Sequence, residues 1–359
     1  MKTKTYRNEK ITQIDEAFIT AWKLLWKQAE NASIFNAYEW FITCQETELI
    51  REYEIYACYK DERLVAVLPL HKERTFGIET LSSIGNTFLV DTAFLIERYD
   101  AELFKHFFTP LFTQKNVFLH KVDQQATVLF QKIFPETFLS LISVNPTVPI
   151  TEDITVSITA STVSQIKKII RKNPDQFRFE LSNGNENAKK HLKMMIDLEQ
   201  NSAKKLRSMD IFSDEKTKRF FTSITKNSPE RVFIGFLYYN DEPIAYQFGF
   251  LYRDIFAAYQ TAYLYEYSKL RPGKTMLFHL LSDLKEQNVA SIDLGGGISS
   301  YKQEFTHDYR LLYDVSYSHN RIVMQIWKTI NTVRRIKQQL FPIKHTRDHE
   351  FLFKEFETH

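Results

Sequence analysis

The stretch SIDLGGGISSYKQEF, Ser291 to Phe305, holds three side chains that could do chemistry within ten positions: Asp293, Tyr301 and Lys302. A carboxylate here could take a proton or orient an amine. A phenol could give a proton up, and an ammonium could bind a phosphate or a carboxylate. Between them stand Gly295, Gly296 and Gly297, a third of the nine glycines in a chain of 359 residues. With no Cβ, they let a bound molecule pass close over the backbone, and they permit a sharp turn that returns Tyr301 and Lys302 toward a cleft. Asp293 as a turn cap and Tyr301 as a packed aromatic are the plainer alternatives.

A second set lies in RPGKT, between a strand and a helix. Free N–H groups and the dipole at that helix start suit a pyrophosphate, with charge added by Arg271 and Lys274 and Thr275 alongside. Gly273 allows close approach, and Pro272 costs little where its N–H is not needed. The alternative is a plain helix cap with two solvated cations. A nucleotide-binding P-loop would need glycine where Ser268 stands, and too little chain follows for its sheet. IDLGGG also looks like a methyltransferase loop, but it comes almost at the end of the chain instead of after a first strand. No HExxH occurs, and His279, His307 and His319 share no helical ligand spacing, so no metal site is expected.

The third set is QIKKIIRK, where Lys168 and Arg171 stand beside Lys167 and Lys172. Such a run is either a solvated helix face or a contact for a phosphorylated acceptor.

Other elements must position these groups. RVFIGFLYY, PIAYQFGFLY and IFAAYQTAYLY read as three strands. KTMLFHLLSDLKEQN is a helix with Leu277, Leu280, Leu281 and Leu284 on one face. SIDL is a short strand, SSYKQEF a helix and LLYDVSYS a last strand. Two helices precede them, NENAKKHLKMMIDLEQNSAKK and SDEKTKRFFTSITKNS, the second with an N-capping start. In the first half, DEAFITAWKLLWKQA is a helix. YKDERLVAVLPL there echoes YNDEPIAYQFGF half a chain later, each as strand, acidic turn, strand. The pattern resets at NPTVP, which places a boundary near residue 150. The tail RIVMQIWKTINTVRRIKQQL is a basic amphipathic helix with Val323, Ile326, Ile330 and Val333 on its apolar face. Lys328, Arg334, Arg335 and Lys337 on it could rest on an anionic membrane.

The length suits two domains, 1–150 and 151–359. Apolar residues at 43% and aromatics at 14% supply ample cores. Basic and acidic residues nearly balance, 47 against 44, so no overall pull on nucleic acid is indicated and no DNA partner is expected. Two cysteines, Cys44 and Cys58, fit a reducing compartment, and no stretch is apolar enough for a signal peptide or a membrane span. A cytoplasmic protein is expected.

Strand order and motifs together resemble the GNAT (Gcn5-related N-acetyltransferase) fold, and more narrowly its FemAB/CelD-like branch with two such domains in tandem. The residues that carry the likeness are ASIFNAYEWF, QIKKIIRKNPDQFRFEL, RPGKTMLFHLL and IDLGGGISSYKQEF, spanning most of the chain. The resemblance implies an α/β fold with α+β mixed sheets: two GNAT-like domains, each a central, mostly antiparallel sheet flanked by helices. It implies acyl transfer from acetyl-CoA or another acyl-CoA to an amine or hydroxyl of an envelope or polysaccharide precursor, lipid-linked or nucleotide-linked. AAYQTAYLYEY would be the strand that splays from its neighbour to expose main-chain amides to the thioester. Tyr301 would protonate the departing thiolate, and Asp293 would act as base or orient the acceptor. Arg271, Gly273, Lys274 and Thr275 would hold the donor, although LRPGKT is poorer in glycine than the usual loop. The first half lacks a glycine-rich loop and a Tyr-Lys pair, and so reads as a non-catalytic scaffold. Two other readings are aminoacyl transfer from aminoacyl-tRNA to a peptidoglycan precursor, with tRNA as partner, and a binding protein without catalysis.

Overall fold

The computed structural model describes residues 5–340 except 76, 85–87, 89, 186, 208 and 298; of 75, 207, 331 and 333–340 it describes the backbone alone. Thirteen strands and ten helices follow in chain order: β1 (Tyr6–Ile11), α1 (Glu16–Gln28), α2 (Tyr38–Glu46), β2 (Tyr53–Lys60), β3 (Arg63–Thr75), β4 (Ile78–Ser83), β5 (Leu95–Ile96), α3 (Ala101–Gln114), β6 (Val117–Asp123), α4 (Gln124–Ile133), β7 (Phe138–Pro149), α5 (Ala160–Lys172), β8 (Phe177–Asn183), α6 (Ala188–Gln200), α7 (Glu215–Asn227), β9 (Val232–Tyr239), β10 (Glu242–Tyr252), β11 (Ile255–Tyr263), α8 (Pro272–Glu286), β12 (Ser291–Asp293), α9 (Ser300–Gln303), β13 (Asp308–Tyr317) and α10 (Arg321–Leu340).

They form two compact units, 1–144 with 310–359, and 145–309. In the first, β1, β2, β3 and β4 are joined antiparallel, β4 pairs β6 in parallel, and β6 pairs β13 antiparallel. In the second, β8, β9, β10 and β11 are joined antiparallel, β11 pairs β12 in parallel, and β12 pairs Thr147–Pro149 of β7 antiparallel. The strands of the two units repeat one order: an antiparallel meander, a parallel step across a helix, then an antiparallel strand.

The sequence echo is realised in backbone detail. The β2–β3 turn has Asp61 and Glu62 at φ 47° and 67°, and the β9–β10 turn has Asn240 and Asp241 at φ 49° and 64°. Two consecutive left-handed residues make the hairpin turn whose twist matches the flanking strands, and Asn and Asp tolerate that region best.

The division differs from a cut at 150 in two respects. NPTVP, where the pattern resets, is the end of β7, because Thr147–Pro149 pairs with Ser291–Asp293. The prolines forfeit only their own donors, and the Pro146 carbonyl still accepts from Leu294 N at 2.9 Å. The segment from Arg310 onward belongs with the first unit, because β13 pairs with β6 there.

In the first unit the core is built on phenylalanine. Phe94, Phe104, Phe108 and Phe130 are all fully buried, with ring centroids 4.6–6.4 Å apart. Each buried ring contributes about 1.5–3 kcal/mol. The apolar face of α10 also differs from the expected one. Met324 and Trp327 are its buried residues, Trp327 lying against Phe118, while Ile326 is 41% exposed. The bulky indole sets which stripe faces inward, a third of a turn from the one read off the isoleucines. The side chains of Val333, Arg334, Arg335 and Lys337 lie outside the described residues.

In the second unit α8 buries Leu277, Leu280, Leu281 and Leu284, as its spacing predicts, together with Phe256 and Ile292 from the strands on either side of its crossover. α7 begins on Asp214, whose carboxylate accepts from Thr217 N at 3.0 Å.

Candidate functional site

β11 and β12 stay together for only three residue pairs, Ile255↔Ser291, Phe256↔Ile292 and Ala257↔Asp293. β11 continues to Tyr263, and from Ala258 to Ala262 it has no strand pairing on that side among the described residues. Two features open the gap. β11 carries an extra residue, Tyr259, because Gln260 pairs Phe248 while Ala258 pairs Gly249. Such a bulge bends its strand and increases the local twist. β12 itself ends at Asp293, where the chain turns into the glycines. The strand that the family resemblance implies to be splayed, AAYQTAYLYEY, begins within β11.

α8 follows β11 after a single short turn, Tyr265–Leu270. Arg271, its N-cap, sits in the left-handed region at φ 49° and is exposed. Gly273 has ordinary helical φ, and a Cβ built on it would meet nothing within 4 Å. The fold therefore does not require glycine there; open space over the backbone does fit a ligand. The first turn offers fewer free amides than a typical helix start. Lys274 N and Thr275 N both donate to Arg271 O at 3.0 Å, and Pro272 has none, which leaves Gly273 N. Thr275 is fully buried and donates its hydroxyl to Leu270 O at 3.1 Å, so it braces the helix start and does not face a ligand. Lys274 is paired with Glu304, which also accepts from Thr162 Oγ1. Burial alone would raise the Glu304 carboxyl. The hydrogen bonds from Lys274 and Thr162 and the nearby charge of Arg271 outweigh it and hold the group below its ordinary value.

The glycine loop is held from beneath. Asp293 is buried; its Oδ1 accepts from Gly295 N at 2.8 Å and lies 3.4 Å from Asn145 Nδ2. Gly295 and Gly297 have φ of 72° and 85°, which only glycine adopts without strain. Lys302 is buried beneath them. Its Nζ donates to the carbonyl oxygens of Gly295, Gly296 and Gly297, each at 3.1 Å. All three donors of the ammonium are thereby spent on the loop. The expectation that Lys302 itself grips a phosphate or carboxylate does not match this geometry. Burial lowers the Lys302 ammonium to about 8, and the charge of Asp293 partly offsets that.

The helix carrying Tyr301 and Lys302 is a single turn, Ser300–Gln303, and not the longer one that SSYKQEF predicts, because Phe305 leaves it to enter the core at 0% exposure. Tyr301 packs on the Leu277–Phe305 cluster, and its hydroxyl has no hydrogen-bond partner among the described residues. Burial raises this phenol to about 12, so it holds its proton at neutral pH.

Lys168 and Arg171 line an open groove of 580 Å³ on α5 together with Lys167, Thr155, Val163 and Ser164. None of the three cations has an ion pair among the described residues. Sequence reasoning missed two carboxylates. Glu304 lies within the quoted motif, three residues after Tyr301. Glu199 is fully buried at the end of α6 and accepts from Tyr246 Oη and from Gln260 Nε2 at 3.1 Å, with Lys204 Nζ at 3.8 Å. The signal for Glu199 was a carboxylate four residues after buried Met195, on the apolar stripe of its helix.

An antiparallel meander and a bulged strand that leaves its parallel neighbour after three residue pairs belong to a mixed α/β fold. In agreement, residues 160–303 match the family described as acetyltransferase (GNAT) domain. Among solved structures, the chain is similar in fold to FemX at a TM-score of 0.63 and 10% identity, over 89% of this chain and 99% of that one. It is similar to a conserved protein of unknown function from Bacteroides thetaiotaomicron VPI-5482 at 0.54 and 11%, over 88% and 100%. It is also similar to the C-terminal domain of a protein assigned as a lysylphosphatidylglycerol synthetase from Agrobacterium fabrum at 0.52 and 10%, over 75% and 85%. No curated protein matches the sequence.

Proposed function

We propose that the second unit transfers an acyl group from acyl-CoA to an amine or hydroxyl of an acceptor. The observation that carries this reading is the β11–β12 pair that opens after three residue pairs, with the hydroxyl of Tyr301 near the loop that follows. In this reading the acyl-CoA phosphates approach the α8 start over Gly273 and beside Arg271. Tyr301 gives its proton to the departing thiolate. Asp293, already fixed by Gly295 N, orients the loop against the acceptor. Lys168 and Arg171, free in their groove, suit the phosphate of a nucleotide-linked or lipid-linked acceptor, the class met in envelope and polysaccharide precursors.

Acetyl-CoA at saturating concentration is expected to raise the melting temperature of the wild-type chain by several degrees. Gly273→Ala supplies the specific check. A methyl group there touches nothing and favours the helix by about 0.5–1 kcal/mol, so the variant should melt at or above the wild-type temperature. The same methyl fills the donor's approach and should weaken acetyl-CoA binding about 10-fold. If acetyl-CoA binds Gly273→Ala as tightly as wild type, the donor does not lie over α8.

Lys274 is proposed to exchange Glu304 for a donor phosphate. Glu304→Gln then frees the ammonium and tightens acetyl-CoA several-fold, while Lys274→Ala loosens it. Equal losses of stability in both variants with unchanged dissociation constants would make the pair a brace between α8 and α9.

The likeness in fold to FemX favours a second reading, aminoacyl-tRNA as donor and a peptidoglycan precursor as acceptor, as the FemAB resemblance implies. Retention of charged tRNA on a filter, without any response to acyl-CoA, would select it.

The first unit is proposed to be a scaffold. At the place where β12 runs into three glycines, β6 runs straight into α4, with Asp123 spent as the N-cap on Ala126 N at 2.9 Å. A cytoplasmic location is proposed as well: Cys44 and Cys58 are both free and buried, and no described helix is long and apolar enough to cross a membrane.

A further inference from the structure

We propose that the Gly295–Gly297 loop is a cradle for an oxyanion of the acceptor, and that Lys302 is the positioning residue that aims it. This rests on the transferase reading of the same site and adds the chemistry of what the loop receives.

The argument starts from the planar peptide. In a trans peptide the C=O and the following N–H point in opposite directions, and no described peptide bond is cis. The carbonyls of Gly295 and Gly296 both converge on Lys302 Nζ at 3.1 Å. The N–H groups of Gly296 and Gly297 must therefore point away from Lys302. Neither donates a hydrogen bond to a described residue, whereas Gly295 N is already taken by Asp293. Left-handed φ at Gly295 and Gly297, and not at Gly296, alternates the hand of successive residues, the conformation in which consecutive N–H groups make a concave anion site. Gly296 is exposed. The Ser299 hydroxyl, two residues past Gly297, is also buried without a hydrogen-bond partner among the described residues.

The electrostatics agree. A buried ammonium stands behind the cradle, and its field reaches the outer face through the peptide dipoles it aligns. The Asp293 carboxylate opposes an anion, but it is engaged by Gly295 N and Asn145 and is offset by Lys302. A phosphate or a carboxylate fits this donor pair equally; the shared chemistry is an oxyanion accepting two backbone N–H bonds.

The test uses the full chain with its glycine amides labelled with ¹⁵N and assigned, titrated with inorganic phosphate and separately with sodium acetate. Saturable shifts of Gly296 and Gly297, absent at Gly235 and Gly249, are expected, and the tighter anion names the acceptor's group. Lys302→Met keeps the volume, removes the charge that orients the carbonyls, and should weaken the anion at least ~10-fold. Gly296→Val leaves Lys302 untouched and blocks the cradle with bulk, at a position whose φ is not left-handed, and should abolish the saturable shift. Unmoved Gly296 and Gly297 at tens of millimolar of either anion would overturn the cradle, as would equal affinity in Gly296→Val. Acetyl-CoA stabilisation separates this failure from the wider one. A protein that acetyl-CoA stabilises but whose loop ignores anions is a transferase without a cradle. One that binds anions and ignores acetyl-CoA keeps the cradle and loses the transferase.

Discussion

Tyr301→Phe is expected to lower kcat for acyl transfer about 100-fold while the dissociation constant for acetyl-CoA changes by less than about two-fold. Three features of the residue fix this split. The hydroxyl has no hydrogen-bond partner among the described residues, so its removal strands no neighbour. The ring keeps its packing on the cluster around Leu277 and Phe305, so the fold should lose little. The phenol, raised to about 12 by burial, stays protonated across the neutral range and can serve only as a donor there. A proton given to a thiolate matters in the transition state and not in the bound ground state, which is why turnover should suffer and affinity should not. Single-turnover kinetics with saturating acetyl-CoA would read the chemical step directly. A variant with wild-type turnover would remove Tyr301 from the reaction.

The largest effect on the fold should come from Gly249→Ala. A Cβ at this position of β10 would lie 2.4 Å from Phe256 Cζ, 2.6 Å from Phe256 Cε1 and 2.7 Å from Ala257 O. The ring is fully buried and cannot swing aside, and the carbonyl belongs to the last residue of β11 that pairs with β12. Relief requires β11 to shift at the point where it departs from β12. Overpacking of this kind costs on the order of 3 kcal/mol, a fall in melting temperature of about 10 °C for a unit of this size. Donor binding should weaken in parallel, because the moved strand is the one that parts from β12. Gly273→Ala is the matched control, since its methyl meets nothing. An unchanged melting temperature for Gly249→Ala would mean that the β10–β11 ladder is looser than described.

Patterns of local origin were readable in the sequence. Leu277, Leu280, Leu281 and Leu284 recur at helical spacing and are buried together, and the two acidic hairpin turns share a backbone in which three of the four left-handed residues, Asp61, Asn240 and Asp241, are of the types that accept positive φ. Partners brought in from elsewhere along the chain were not readable. Lys274 looks free beside Pro-Gly until Glu304, thirty residues on, is folded against it. Lys302 looks like a ligand-facing cation until the preceding loop curls over it. Thr275 looks like a phosphate contact until Leu270 takes its hydroxyl. NPTVP marks a boundary, as its prolines suggest, yet it also ends a strand, because a three-residue pair tolerates the missing donors. On α10 the period was right and the phase was wrong, because Met324 and Trp327, and not Ile326, are buried among the described residues.

The crossing of closing strands has a consequence for biosynthesis. β13, which seals the N-terminal sheet against β6, is encoded after nearly the entire C-terminal unit, and Thr147–Pro149, which seals the C-terminal sheet, is encoded before it. On the ribosome the earlier sheet must wait with β6 unsealed until residue 317 has emerged, whereas the later one has its missing strand in hand from the outset. The usual order, in which the N-terminal domain matures first, is therefore expected to be inverted. A gene fragment ending near residue 150 would yield a sheet with an exposed, aggregation-prone edge in place of a free-standing half.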